Sequence, residues 1–163
     1  MSLTVRDIMN PDVITIDENA TVREAAKLMS EKNVGCLVVL RKGEPVGIIT
    51  ERDILVRVVA EGKDPDAVRV GWVMSTPIVK GRPDMDLEEA AKLMTSKGVK
   101  KLPIFEGDRL VGIITLTDLV RSQPYVVELL EDILASEYLP PRFEKILRPR
   151  RPRRHSGKRP MVR

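Results

Sequence analysis

The chain has very few of the side chains that usually carry out chemistry: one cysteine (Cys36), one histidine (His155), one tryptophan, and 3% aromatic residues in all. A single cysteine rules out an internal disulfide and any multi-cysteine metal site, and this usage fits an intracellular location. His155 sits in a stretch of arginine and proline, with nothing nearby to orient it as an acid or base. Cys36 borders an apolar run and reads as a small buried hydrophobe rather than a nucleophile. Long apolar runs are also missing. No segment approaches the ~20 apolar residues that cross a bilayer, and the start, MSLTVRDIMN, lacks the apolar stretch of a signal peptide. These absences predict a soluble cytoplasmic protein that is not an enzyme.

Charge is unevenly placed. The formal net charge is +4, from 28 Lys and Arg against 24 Asp and Glu. Residues 148–163 hold eight basic residues and no acid, so the rest of the chain carries 28 − 8 = 20 basic against 24 acidic residues, a net −4. The segment Arg148-Pro149-Arg150-Arg151-Pro152-Arg153-Arg154 has too little apolar content for a core and is predicted to be a disordered tail. Such a tail can release counterions by meeting the phosphates of a nucleic acid, can meet an acidic protein surface, or can be a solvated extension with no specific partner. It carries neither an aromatic stacking platform nor a helix-turn-helix pattern.

What the chain does have is a repeat. Gly47-Ile48-Ile49-Thr50-Glu51-Arg52-Asp53 returns as Gly112-Ile113-Ile114-Thr115-Leu116-Thr117-Asp118, 65 residues later. The same offset carries Met9 onto Met74 and Glu24-Ala25-Ala26-Lys27-Leu28-Met29 onto Glu89-Ala90-Ala91-Lys92-Leu93-Met94. Matches on one unbroken offset mean a duplicated unit. Each copy alone is near the size at which a domain is marginal, so the halves are predicted to bury their apolar faces together.

One unit reads as β-α-β-β-α. Val13–Ile16 is the first strand, followed by a helix capped by Thr21 or Asn19, with Val22, Ala25, Ala26, Leu28 and Met29 on its apolar side. Cys36–Leu40 is a buried strand and Val46–Ile49 the next, and Thr50 caps a helix from Glu51 to about Ala60. In the second copy, Thr76–Val79 restates the first strand. The fold class is therefore α/β in the α+β sense, two pseudo-symmetric repeats packed together. The divisions are 1–66 for repeat one with its lead-in and linker, 67–122 for repeat two, 123–147 for an extension containing a short helix at Tyr125–Leu134, and 148–163 for the basic tail.

Gly-x-x-Thr-x-x-Asp at a strand end offers chemistry. Glycine permits close approach of a ligand or a neighbouring backbone. Threonine at a helix start favours an anion, and the aspartate on the same face can accept hydrogen bonds from the two hydroxyls of a ribose. The alternative is a pair of helix caps whose aspartates only complement the helix dipole.

With its Met9 and Met74 segments, Glu-Ala-Ala-Lys-Leu-Met helices, Val34-Gly35-Cys36-Leu37-Val38-Val39 and Val99-Lys100-Lys101-Leu102-Pro103-Ile104 runs, and two Gly-Ile-Ile-Thr-x-x-Asp motifs, the chain resembles a tandem of cystathionine beta-synthase (CBS) domains, a Bateman module. The resemblance spans roughly residues 5–122. It implies two clefts, each built from both repeats, that bind AMP, ADP, ATP, S-adenosylmethionine or NAD as a regulatory ligand, in a chain that forms homodimers. The first cleft would combine Thr115, Thr117 and Asp118 with Met9, Ile14, Val34, Gly35 and Cys36. The second would combine Thr50, Arg52 and Asp53 with Met74, Val79, Val99, Lys100 and Lys101. Arg52 and Lys101 favour a phosphate-rich ligand in the second cleft, with Lys100 able to turn toward the first. The implied function is regulation without chemistry, by a change of packing passed to a partner. The competing reading makes the paired repeats a dimerisation scaffold for a nucleic-acid-binding tail.

Overall fold

The computed structural model of the chain describes residues 3–122. The helix predicted at Tyr125–Leu134 and the basic tail lie outside the described residues. In order, the elements are α1 (Val5–Ile8), β1 (Thr15–Asp17), α2 (Val22–Lys32), β2 (Cys36–Arg41), β3 (Glu44–Thr50), α3 (Glu51–Ile54) continued by a π-helical turn (Leu55–Val59), α4 (Val70–Val73), α5 (Leu87–Lys97), β4 (Lys101–Glu106), β5 (Arg109–Thr115) and α6 (Leu116–Arg121).

The long helices show how the repeat encodes its ends. Thr21 caps α2 by accepting from the Glu24 amide, and the Thr21 N–H donates to Glu24 Oε2 in return. Asp86, at the equivalent place, caps α5 by accepting the Glu89 amide at 2.7 Å. Both helices close on a left-handed residue, Asn33 (φ 52°) and Gly98 (φ 65°), residue types that tolerate that conformation. Val22, Ala25 and Met29 are buried on α2, and Leu87, Ala90 and Met94 occupy the same positions on α5.

In repeat one, β1 runs parallel to β2, and β2 runs antiparallel to β3. The first strand lies at Thr15–Asp17, slightly later than Val13–Ile16. In repeat two only β4 and β5 form a sheet. The strand expected at Thr76–Val79 is replaced by one parallel bridge, Gly81 to Ile104, which is the Ile16–Val39 pair moved by the repeat offset. Pro77 has no amide to donate, and Gly81 lies so close to the sheet that a Cβ would come within 2.6 Å of Ile104 Cδ1. The register of the duplication survives where the ladder does not.

The two cores exchange their lead-ins. Val68, Val70 and Val73, in the lead-in at the start of repeat two, pack with Leu37, Val39 and Ile49 of repeat one. Val5, which precedes repeat one, packs with Leu102, Ile104 and Ile114 of repeat two. Backbone pairs fix the crossing: Asn10 exchanges hydrogen bonds with Ile113, and Ser75 with Ile48. Burying side chains such as Leu37 and Leu102 contributes about 1.5–3 kcal/mol each.

Candidate functional site: a cleft shared by the two repeats

Both Thr-x-x-Asp motifs fold as reciprocal capping boxes. Thr50 N–H donates to Asp53 Oδ2 at 3.0 Å, and Asp53 N–H donates to Thr50 Oγ1 at 3.1 Å. Thr115 and Asp118 repeat this at 2.9 and 3.1 Å. Each box satisfies two free amides of its helix start and occupies one carboxylate oxygen. The second oxygen of each aspartate remains for something else. The motif glycines serve backbone packing: a Cβ on Gly112 would meet Met9 Sδ at 2.5 Å and Asn10 O at 3.2 Å, and one on Gly47 would meet Met74 Sδ and Ser75 O at 2.9 Å.

Asp118 opens on a cavity of about 280 Å³. Thr115 and Asp118 come from repeat two, and Ile14, Val34, Gly35 and Cys36 from repeat one, so six of the residues expected in the first cleft line one space. Met9 lies instead over Gly112, within the second core, and Thr117 is exposed. Asp118 Oδ1 has no hydrogen-bond partner among the described residues.

Six further residues line it, Asn10, Asp12, Val13, Asn33, Lys101 and Ile113, and of these only Lys101 was expected in a cleft, the other one. Asn10 and Asn33 are recoverable from the offset, because they stand where repeat two has Ser75 and Gly98 and so mark where the halves differ. Lys101 was expected in the second cleft and lies in the first. It is the cross-strand partner of Thr115, and paired residues project from the same face of a ladder. Its ammonium lies 3.2 Å, and Glu51 Oε1 2.9 Å, from where a Gly35 Cβ would stand, so glycine leaves room for both.

The second set is arranged differently. Asp53 is buried at 7% exposure. Its Oδ1 accepts the Ser75 hydroxyl at 3.0 Å and lies 3.5 Å from Arg57 Nη1, which donates to the carbonyls of Val73 (2.8 Å) and Met74 (3.0 Å). Asp53 thus meets Met74 through Arg57. Val79 and Val99 pack against the repeat-two core, Arg52 is exposed, and Lys100 is exposed with its carbonyl accepting the Leu116 amide.

Burial pushes the Cys36 thiol above its ordinary pKa; Lys101 opposes this and Glu51 adds to it. Among the described residues no group of three or more His, Cys, Asp or Glu is placed to hold a metal ion, and no helix is long and apolar enough to cross a membrane.

Two pseudo-symmetric α+β repeats with a cleft drawn from both define a paired-repeat module of the kind the sequence resembles. The CBS domain model matches residues 5–60 and 68–125, and the chain belongs to that family. It is 42% identical over 120 residues to the CBS domain-containing protein YhcV of Bacillus subtilis, covering 74% of this chain and 85% of YhcV. The hexameric CBS-CP12 protein from bloom-forming cyanobacteria superposes with a TM-score of 0.72 at 35% identity, over 83% of this chain and 82% of that one. Hypoxic Response Protein I, crystallised with two coordinated zinc ions, gives 0.66 at 31% identity, over 75% of this chain and all of that one.

Proposed function

We propose that the chain is a regulatory module that binds an adenosine-containing ligand in the cleft of Asp118 and passes its occupancy to a partner. The observation that carries this reading is Asp118, whose Oδ1 has no partner among the described residues and which lines a cavity shared with the other repeat. A carboxylate oxygen there accepts from ribose hydroxyls, the apolar side chains Ile14 and Val34 suit a base, and Lys101 supplies a charge for phosphate. At about 280 Å³ the cavity lies just below the usual range of ligand sites, ~300–1,000 Å³, which favours a mononucleoside ligand such as AMP, ADP, ATP or S-adenosylmethionine over the dinucleotide NAD. Because both repeats line the cleft, a ligand that prefers one relative packing shifts the population toward it, which is regulation without turnover.

Self-association extends the reading. Leu55 and Val59 on the π-helical turn, and Leu116 and Val120 on α6, are exposed apolar side chains on symmetry-related helices. A homodimer that covers them gives the occupancy signal a second surface to act on.

Calorimetric titration with AMP, ADP, ATP, S-adenosylmethionine and NAD tests the cleft. At least one mononucleoside ligand is expected to bind, with Asp118→Asn lowering its affinity tenfold or more. Equal affinities for the two proteins would show that the ribose does not sit at Asp118.

A further inference from the structure

The two aspartates of the repeat are alike in sequence and in capping, yet their remaining oxygens differ. Asp118 Oδ1 has no partner among the described residues, whereas Asp53 Oδ1 receives the Ser75 hydroxyl and faces the Arg57 guanidinium. The repeat offset identifies what changed. Ser75 stands where repeat one has Asn10, whose side-chain oxygen is turned into its own loop by the Asp12 amide at 2.9 Å. Arg57 stands where repeat two has Ser122, whose short hydroxyl donates to Leu119 O and carries no charge.

We propose that Arg57 acts as a resident occupant of the second cleft, filling the ribose position at Asp53, so that one chain binds one adenosine ligand and binds it at Asp118. The inference rests on the adenosine reading above. Arg57 does what a bound ribose would do at that carboxylate, and it also joins α3 to the end of α4 through the Val73 and Met74 carbonyls. These two carbonyls end the lead-in that crosses into the repeat-one core, so the guanidinium spans the boundary a ligand would bridge. The π-helical turn is part of the device. It runs from Leu55 to Val59, so the residue presented to Asp53 and the lead-in comes from a widened, underwound segment. A ligand entering this cleft has to displace a charged hydrogen-bonding group that is already satisfied on both sides.

The test is stoichiometry, measured by calorimetry on the full chain with the tightest-binding mononucleotide, for the wild type and for Arg57→Ala. The expected result is one site in the wild type and two in Arg57→Ala, with the original affinity retained at the first site. Two sites in the wild type, or one in both proteins, would overturn the inference while leaving the Asp118 reading intact. No site in the wild type and one in Arg57→Ala would uphold the occupant and overturn the Asp118 reading. No binding by either protein would overturn both. Arg57→Gln, which removes the charge but keeps a donor for one carbonyl, gives the same readout should the alanine variant not fold. Emission from Trp72, the single tryptophan and a neighbour of Val73 in α4, reports release of the lead-in without any ligand.

Discussion

Lys101 is paired with Thr115 across the antiparallel ladder of β4 and β5, and both line the cavity of Asp118. An ammonium, a hydroxyl and a carboxylate therefore come to one wall from adjacent strands and the helix start that follows. The ammonium is the part of this wall suited to phosphate.

Replacing Lys101 by Met keeps the length of the stem and removes the charge. Affinity for ATP and ADP is expected to fall about tenfold, that for unphosphorylated adenosine to stay within about twofold, and the salt dependence of ATP binding to flatten. Titrations at two salt concentrations check this, and equal losses for adenosine and ATP would count against a phosphate role.

Cys36 makes stability depend on alkaline pH. The folded state holds the thiol protonated beyond the point at which the unfolded chain releases its proton, mainly through burial. The stabilisation is complete below the ordinary thiol pKa of about 8.5 and is lost as pH rises through the raised folded value. Thermal melts of the wild type and Cys36→Ala across that interval should converge as pH rises. Alkylation of Cys36 should also slow when a ligand fills the cleft that it lines.

Leu55 and Val120 occupy equivalent positions in the two repeats and are both exposed. Leu55→Glu combined with Val120→Glu is expected to shift sedimentation from dimer to monomer with little change in the melting temperature. A dimer of undiminished affinity would move the interface elsewhere.

Gly81→Ala forces a methyl group against Ile104 and Leu102, both fully buried, and is expected to cost about 1–3 kcal/mol in denaturant unfolding. Gly35→Ala meets only the ends of the Glu51 and Lys101 side chains. It should leave stability nearly unchanged while weakening phosphate-bearing ligands by pushing Lys101 aside.

Much of this was legible because the duplication shows twice which residues matter. The helix faces and their caps follow from residues 65 apart, such as Val22 and Leu87 or Thr50 and Thr115, while the division of the first cleft between repeats follows from the family resemblance. The features that escaped depend on how the copies differ or on which strands meet. A strand was expected at Thr76–Val79 by analogy, but Pro77 and the close approach of Gly81 reduce it to one bridge. The resemblance puts Lys101 in the second cleft, although its surroundings are set by its ladder partner. Arg57 has no counterpart in the motif, and its role depends on the lead-in lying beside α3, a contact made at long range in the sequence.

The exchange of lead-ins has a consequence for how the molecule can be divided. Cutting between residues 61 and 66 would leave two fragments, each holding most of one core and the missing piece of the other. Neither would be complete alone, whereas mixing them would restore both. The exchange makes the core of each half depend on a segment that belongs to the other. It also ties the loss of either half to the loss of both.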